Sequence, residues 1–178
     1  TTKMYKEAKK YKKYRDNLRE DYPYTKFDTP DDAYIGKLGE MIFEKYLNEN
    51  GLEKDIDYVT NEGVVYDRWD FKFLANGKTI DVKTAQTLLK PDESWYFGYP
   101  IITHPERKDF IVICYINLKK NLGIIMGFVL GKKVAKYQKT WYNSKAGFKY
   151  QVENYDIPIG NKDFDSNISN LLKIMVKG

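Results

Sequence analysis

The segment Trp69–Thr84, WDFKFLANGKTIDVKT, decides the fold because it predicts a tight β-hairpin. Asn76-Gly77 is the preferred dipeptide of a two-residue type I′ turn, and successive residues of each strand then point to opposite faces. One face of the hairpin is apolar and is expected to line the core: Phe71, Phe73, Ile80 and Val82. The other face is charged, and the turn sets its members opposite each other in two pairs: Lys72 with Asp81, and Asp70 with Lys83.

This charged face has two explanations. Opposite charges across a half-exposed antiparallel ribbon stabilise it by about 0.2–1 kcal/mol per pair, and the hairpin alone favours this simpler explanation. In the alternative, the carboxylates hold a metal ion. The chain has one histidine and one cysteine, so the ligands would be oxygen atoms rather than those of a His/Cys zinc site. Asp67 is a second candidate in place of Asp70, but three residues along a strand change the face.

A helix is predicted shortly before the hairpin. Residues 29–32, Thr-Pro-Asp-Asp, are typical of a helix start, with Thr29 as the N-cap and Pro30 at the first helical position. The helix is expected to run to about Asn48 and to stop at Asn50-Gly51.

Two glycines and a glutamate inside this helix favour the metal ion. Gly36 and Gly39 each cost about 1 kcal/mol relative to alanine, which indicates that another backbone or a ligand comes close. On a helical wheel Glu40 is flanked by the apolar side chains of Phe43 and Leu47. The solvated charges of the helix are expected elsewhere: Lys37 and Lys45. A partly buried carboxylate is costly unless it binds a metal ion or pairs with a neighbouring lysine or arginine, and both options are open.

The rest of the chain predicts more strands and one more helix. DFIVICYIN at 109–117 and GIIMGFVLG at 123–131 flank LKKN, and their near-continuous apolar character predicts central strands buried on both faces. Residues 85–108 contain three prolines and are predicted to be a long connection with room for a short helix. The C-terminal third is predicted to hold a strand at 149–153 and a helix near 166–176.

Composition limits the class of protein. The chain has 178 residues, 42% of them apolar, which suits one folded domain with a sizeable core. No segment approaches the roughly 20 apolar residues of a membrane span, and the first residues do not read as a signal peptide. We therefore expect a cytoplasmic, intracellular protein without a membrane partner. Cys114, in an apolar strand, is expected to be a buried inert thiol, and His104 is expected in a surface loop.

The basic charge is concentrated at the N-terminus. The net charge is +5, and residues 1–20 hold eight Lys/Arg against three acids, so this segment accounts for the whole excess. We predict a helical arm, residues 1–22, that docks on a domain of residues 23–178 by an apolar stripe: Met4, Ala8, Tyr11 and Leu18. A basic arm suits a phosphate backbone or an anionic membrane surface, and the simpler explanation is a solvated helix face. The lysines assigned to a nucleic-acid backbone are Lys9, Lys10, Lys12 and Lys13.

The sequences IGKLGEMIFEKYL (35–47), WDF (69–71) and GKTIDVKT (77–84) resemble the PD-(D/E)XK nuclease superfamily, whose fold also underlies many restriction enzymes and Holliday junction resolvases. The family pattern is a helix carrying Gly-Glu, a strand beginning with Asp, a turn, and a strand carrying Asp/Glu-x-Lys. The matching residues here are Glu40, Asp70, Asp81 and Lys83. The resemblance covers about residues 34–130. Trp69 stands where the name-giving proline would be. Gln86 follows Lys83 by three residues, as in one exonuclease branch, but that branch has an aromatic residue at the position of Lys90, so the branch is left open.

The resemblance implies an α/β fold with a restriction-endonuclease-like core, in which helices flank a mixed β-sheet and the basic N-terminal helix is appended. It implies Mg²⁺ as cofactor, with Mn²⁺ as a substitute. Asp70 and Asp81 lie on adjacent strands and can reach one ion, and the resemblance adds the carbonyl of Val82 and Glu40 as ligands. Lys83 would orient or deprotonate the attacking water and help neutralise the phosphate. The remaining substrate contacts are assigned to Lys72 and Gln86.

The predicted function is metal-dependent hydrolysis of phosphodiester bonds in DNA, by an endonuclease whose substrate is duplex or branched. Cleavage of two strands favours a homodimer with two-fold symmetry. Two alternatives are a nucleic-acid-binding protein that keeps the fold without cutting, and a viral or structural assembly protein that binds no metal. Lys83 beside Asp81 argues against the first alternative, because a protein that does not cut has no evident need for this lysine.

Overall fold

A six-stranded mixed sheet lies at the centre of the computed structural model, which describes residues 2–18, 30–52, 56–58, 69–143 and 147–176. The strands in chain order are β1 (Ile56–Tyr58), β2 (Phe71–Phe73), β3 (Thr79–Gln86), β4 (Tyr96–Pro100), β5 (Phe110–Asn117), β6 (Leu122–Leu130), β7 (Lys139–Asn143), β8 (Phe148–Pro158) and β9 (Phe164–Asp165). The central sheet has the order β1-β2-β3-β5-β6-β9, and a second sheet has the order β4-β8-β7. β3 and β5 are parallel, and the other pairs are antiparallel.

Longer helices cover one face of the central sheet, and the second sheet together with a one-turn helix covers the other. The helices are α1 (Thr2–Leu18), α2 (Pro30–Glu49), α3 (Gly131–Val134) and α4 (Ile168–Val176). Phe43 of α2 and Leu171 of α4 pack with Val112 of β5 in one core cluster. The neighbouring residues of β5 pack on the opposite side against Tyr99 of β4 and Ile157 of β8 in a second cluster. The described residues therefore form three layers, and the predicted α/β class with a mixed sheet flanked by helices is confirmed at this level.

The central position predicted for the two apolar runs is confirmed for β5 and only partly for β6. All eight residues of β5 are buried, because β5 lies between β3 and β6 and has a layer on each face. In β6 burial is complete only over residues 127–129, and the half next to the LKKN turn is exposed or half-buried. Position within the sheet decides this difference, and two runs of similar hydrophobicity do not reveal it.

The hairpin has a different register from the predicted one. Phe71 pairs with Ile80 and Lys72 with Thr79, so the pairs Lys72 with Asp81 and Asp70 with Lys83 were wrong. The shift is two residues. Because the side-chain period of a strand is also two residues, the prediction of which residues face the core is unaffected. Phe71, Phe73, Ile80 and Val82 are all buried in the first core cluster.

The loop of the hairpin explains the shift. The backbone N–H of Phe73 donates to the carbonyl of Lys78 at 2.9 Å, so residues 74–77 form the loop instead of Asn76-Gly77 alone. The side chain of Asn76 accepts the N–H of Lys78 at 3.0 Å and donates to the carbonyl of Met175 in α4 at 3.0 Å. Gly77 adopts a positive φ of 68°, which favours glycine. The contact with α4 involves a residue about 100 positions away and is not visible in the local sequence.

The connection between β3 and β5 is richer in structure than predicted. Residues 85–108 complete β3 and then contain β4 and two short 3₁₀ turns, Ile101–Thr103 and Pro105–Arg107. The second sheet was not foreseen, because its strands β4 and β7 are short and carry aromatic and polar residues without strict alternation. The predicted C-terminal strand and helix are confirmed as β8, which is longer than expected, and α4.

The N-terminal arm is helical and docks as predicted. Ala8 is fully buried with Ile35 and Leu38 of α2, and Met4 packs against the same cluster. The ring of Tyr5 lies 6.4 Å from that of Tyr34, which adds a stacked contact between α1 and α2. The side chains of the other two stripe residues, Tyr11 and Leu18, lie outside the described residues. The predicted arm boundary at 22/23 and the predicted N-cap Thr29 also lie outside them.

Three further predictions concern single features. Pro30 begins α2, which ends at Glu49, and Gly51 has a φ of 75°, so the predicted helix and its glycine stop are confirmed. His104 lies between the two 3₁₀ turns with an exposed ring, as expected for a surface residue. Cys114 is buried, and burial raises the pKa of its thiol to about 12. None of the described helices has the length and hydrophobicity needed to cross a lipid bilayer.

Candidate active site

The carboxylate of Asp70 is fixed to the main chain of β3. Asp70 immediately precedes β2, and its N–H donates to the carbonyl of Ile80 at 2.9 Å. Its Oδ2 accepts the N–H of Val82 at 2.6 Å. In a strand the N–H and C=O of one residue point to the same side, so the carbonyl of Val82 also points toward the edge of β3 where Asp70 lies. A carboxylate and a carbonyl oxygen are thus directed to the same side of β3.

Asp81 is buried beneath the second sheet. Only 1% of Asp81 is exposed. Its Oδ1 accepts a hydrogen bond from the ammonium group of Lys83 at 2.9 Å, and its Oδ2 accepts one from the hydroxyl of Tyr99 at 2.7 Å. Tyr99 belongs to β4, so the second sheet supplies a direct contact to the Asp-x-Lys motif. The motif residue therefore has a fixed orientation before any ligand arrives.

The charges around Asp81 keep it ionised. Burial by itself raises the pKa of Asp81, but Lys83, Lys108 and the hydrogen bonds from Tyr99 and Lys83 outweigh burial, so the pKa lies below the ordinary value for an aspartate. Lys108 is itself only 4% exposed. Burial and the charge of Asp81 raise the pKa of Tyr99, so its hydroxyl remains a proton donor.

Lys83 connects this buried group to the surface. Its side chain is 21% exposed, whereas that of Asp81 is 1% exposed. The ammonium group also lies 5.7 Å from the centroid of the Tyr99 ring, within the range of a cation–π contact. Lys83 is therefore held on two sides by Asp81 and Tyr99 and still reaches solvent, where a phosphate group can approach.

Glu40 belongs to α2, which packs on the face of the central sheet opposite to the one where Asp81 meets Tyr99. Its helix α2 packs on β3 so closely that a Cβ on Gly39 would lie 1.7 Å from Oγ1 of Thr84. The close approach predicted from the helix glycines is thus present at Gly39, whereas nothing lies within 4 Å of a Cβ at Gly36. Oε2 of Glu40 pairs with the ammonium group of Lys37 at 2.7 Å. The expectation that Lys37 is simply solvated was wrong, and the lysine partner considered for Glu40 is present.

The other residues predicted to contact the substrate are spread over β2, the end of β3 and the N-terminal arm. Lys72 is half-buried, and its ammonium group is 5.9 Å from the ring centroid of Trp69. Gln86 is exposed at the end of β3. In the arm, the side chains of Lys9, Lys10 and Lys13 are exposed. The side chain of Lys12 lies outside the described residues. Asp67, the alternative to Asp70, also lies outside the described part of the chain.

The oxygen donors at β3 are of the chemical type that a hard divalent cation prefers. Mg²⁺ keeps several waters and is commonly bound by one or two carboxylates together with substrate phosphates. Asp70, Asp81 and the carbonyl of Val82 would hold it. Each carboxylate oxygen has two lone pairs, so the hydrogen bonds from Lys83 and Tyr99 leave acceptor capacity on Asp81. Within the described ranges no three His, Cys, Asp or Glu side chains are grouped as a metal site, and the assignment of Glu40 to the ion stays a prediction.

Two residues that contact or surround Asp81 were not predicted from the sequence. Tyr99 and Lys108 both lie in the connection between β3 and β5, and neither belongs to a recognisable motif. The only local signal is the apolar-aromatic run YFGYP, which is typical of a short strand but does not show that its fourth residue meets Asp81. Comparison of the chain with models of known families gives no match, and comparison with curated proteins gives none either.

Proposed function

We propose that this protein is a metal-dependent nuclease that hydrolyses phosphodiester bonds in DNA. One observation supports this most strongly: Asp70 and the triplet Asp81-Val82-Lys83 meet at one part of β3. The carboxylate of Asp70 is 2.6 Å from the N–H of Val82, and the ammonium group of Lys83 is 2.9 Å from the carboxylate of Asp81. The helix, strand and turn elements that carry these residues occur in the order of the PD-(D/E)XK pattern.

Each residue has a role that follows from its position. Phosphodiester hydrolysis places negative charge on the phosphoryl oxygens and on the leaving oxygen, so the site must supply positive charge there. Asp70, Asp81 and the carbonyl of Val82 would hold Mg²⁺, and the ion would supply positive charge to the phosphate and lower the pKa of a water. Lys83 holds the attacking water or a phosphate oxygen, because its ammonium group is ordered by Asp81 and partly exposed.

Tyr99 has a positioning role in this proposal. Its hydroxyl holds Oδ2 of Asp81 at 2.7 Å, and its ring is fully buried. A carboxylate that is held in place loses little conformational entropy when it binds an ion. The second sheet is therefore part of the site as well as a cover for the core.

The arm and the oligomeric state complete the proposal. Lys9, Lys10 and Lys13 are exposed on α1 and would contact phosphates outside the cleavage site. A homodimer would place two cleavage sites on the two strands of a duplex.

A second candidate is a nucleic-acid-binding protein that does not cut. It is favoured by the internal pairing of the acids, since both oxygens of Asp81 accept hydrogen bonds from protein groups and Glu40 is paired with Lys37. In that case the site is a polar cluster that stabilises the contact between the two sheets.

Cleavage assays distinguish the two candidates. The purified chain is incubated with plasmid, linear duplex and four-way-junction DNA while Mg²⁺ or Mn²⁺ is titrated. The nuclease proposal predicts products that require the metal, and a loss of cleavage of at least about 100-fold in Asp70→Asn and Lys83→Met, because each removes a ligand or a charge used in the transition state.

The matched control is Glu49→Gln, which removes one partner of the exposed pair between Lys45 and Glu49 on α2. It is expected to cut at the wild-type rate. Circular dichroism confirms that each variant is folded. Binding of DNA without metal-dependent products from any substrate would exclude the nuclease and favour the binding protein. Equal cleavage by wild type and Lys83→Met would overturn the assignment of the active site to Asp81 and Lys83.

A further inference from the structure

Residues 131–152 have a composition unlike the rest of the chain. They contain six lysines, five aromatic residues and no acidic residue. The segment includes α3, β7 and the beginning of β8. A mixture of lysines and aromatic side chains is typical of surfaces that bind single-stranded nucleic acid, because lysines neutralise phosphates and aromatic rings stack on bases.

Three of the five aromatic side chains of this segment are exposed. Trp141 is 47% exposed, Tyr142 58% and Phe148 49%. Aromatic residues are usually buried for most of their surface, so three exposed rings on one hairpin suggest a partner. The ring of Phe148 lies 5.2 Å from that of Tyr150 in an edge-to-face contact, which holds it at the surface.

One of these rings, that of Tyr142, lines a groove. Its volume is about 350 Å³, at the lower end of the range for small-molecule sites, and it is open to solvent. Its lining includes three aromatic and three polar side chains: Tyr96, Tyr137, Tyr142, Gln138, Thr140 and Asp156. Rings that provide flat surfaces, together with polar groups that can contact base edges, suit a nucleobase.

The charges are arranged for a strand that turns its bases inward. Lys132, Lys136, Lys139 and Lys149 are exposed and belong to the segment that supplies four of the groove residues. Asp156 is the acid in the groove lining, and its Oδ1 accepts a hydrogen bond from the hydroxyl of Tyr150 at 3.2 Å. A carboxylate repels a phosphate but accepts hydrogen bonds from the amino groups of bases. Phosphates are therefore expected to lie near the lysines, and bases are expected to lie in the groove.

We infer that this surface binds single-stranded DNA by stacking unpaired bases on its exposed aromatic side chains, and that the substrate carries a single-stranded region. The choice of DNA rests on the proposed function. Tyr96 of the groove and Tyr99 of the candidate active site belong to the same strand, β4, and their side chains have opposite environments, one exposed and one buried. The two surfaces are therefore distinct, and β4 joins them.

The test is a binding measurement in EDTA, where no cleavage occurs. Fluorescein-labelled dT20 is titrated with the full chain, and anisotropy is recorded at several salt concentrations. Wild type is expected to bind, and Trp141→Ala/Tyr142→Ala to bind at least about 10-fold more weakly, because both rings stack on bases. In Lys136→Gln/Lys149→Gln the slope of log K against log salt is expected to fall by about 1.4, or 0.7 for each lost phosphate contact.

Matched controls lie away from this surface. Leu74→Ala removes an exposed apolar side chain from the β2–β3 loop, and Lys45→Gln/Lys173→Gln removes two charges from exposed positions of α2 and α4. Both are expected to bind dT20 as wild type does. All variants are checked for unchanged circular dichroism and melting temperature, since the replaced side chains are exposed.

Four outcomes would overturn the inference. They are no binding of dT20 by wild type, wild-type affinity in the aromatic variant, equal affinity for a duplex of the same length, and an aromatic variant that loses self-association but still binds dT20. The last outcome would show that the surface joins two copies of the chain. The assay contains no metal and leaves Asp81 and Lys83 intact, so its result is separate from that of the cleavage assay.

Discussion

At the scale of single residues, Asp81 is the most constrained side chain of the candidate site. It is almost fully buried, and its two oxygens contact Lys83 and Tyr99, while Lys108 is near enough to lower its pKa. Removing one partner of a buried ion pair is strongly destabilising, because the remaining charge is left without compensation. The same residue is therefore expected to matter for stability and for function.

Replacement of this carboxylate measures its contribution to stability. We expect Asp81→Asn to lower the free energy of unfolding by about 3 kcal/mol at pH 6. The folded-state pKa of Asp81 is below the unfolded value of about 3.9, so the unfolded state binds more protons between these two values. The stabilisation is then fully present above the unfolded pKa and is lost as the pH falls through the folded pKa. Urea unfolding of wild type and variant at pH 6 and pH 3 should show the difference shrinking at the lower pH.

The control is again the exposed pair on α2. Glu49→Gln is expected to change the free energy of unfolding by less than about 0.5 kcal/mol, because exposed ion pairs contribute little. If Asp81→Asn were as stable as wild type at pH 6, the buried charge cluster would not contribute to folding as described.

At the scale of elements, the contact between α2 and β3 sets how closely the helix approaches the strand that carries Asp81 and Lys83. Gly39 lies against Thr84, one residue after Lys83, and its lack of a side chain sets the distance between helix and strand. Oγ1 of Thr84 is buried there and has no hydrogen-bond partner within the described segments. The two helix glycines have different roles, because only one of them meets the sheet.

The two glycines give a matched pair of substitutions. Gly39→Ala is expected to destabilise the protein by about 1–3 kcal/mol, since the new Cβ would lie 1.7 Å from Thr84 Oγ1 and the helix must move away. Gly36→Ala is expected to stabilise it by up to about 1 kcal/mol, because alanine favours a helix and nothing lies within 4 Å. Urea unfolding at neutral pH checks both values, and equal effects of the two substitutions would contradict the close contact.

At the scale of the whole molecule, three layers enclose β5. Helices pack on one face of the central sheet and the second sheet on the other, so β5 is buried throughout. Cys114 lies in this strand, is fully buried and is the single cysteine of the chain. It can report on opening of the whole structure.

The thiol is expected to be inert until the core opens. Burial raises the pKa of Cys114 to about 12, so at pH 8 almost none of it is thiolate in the folded protein. With a disulfide reagent such as DTNB at pH 8, we expect reaction at least about 100-fold slower for the native protein than for protein in 6 M guanidinium chloride. Rapid reaction of the native protein would show that the layers separate locally.

The sequence by itself determined the elements whose signal is local. Pro30 and the glycine stop defined α2, alternation placed Phe71 and Val82 toward the core, and continuous hydrophobicity identified β5. Asp70, Asp81 and Lys83 were also singled out from the sequence, by alternation along the hairpin and by the family pattern, and their role in binding a metal ion stays a prediction.

Only the tertiary structure decided the register of the hairpin, the second sheet and the contacts of the acids. Asn76 bonds to α4, Tyr99 reaches Asp81 from another sheet, and Glu40 meets Lys37. Two of these contacts join residues that are distant in the chain, and the third depends on rotamers chosen after burial. The physical reason is that local sequence fixes periodicity and turns, whereas partners across layers are selected by packing and by the need to compensate each buried polar group.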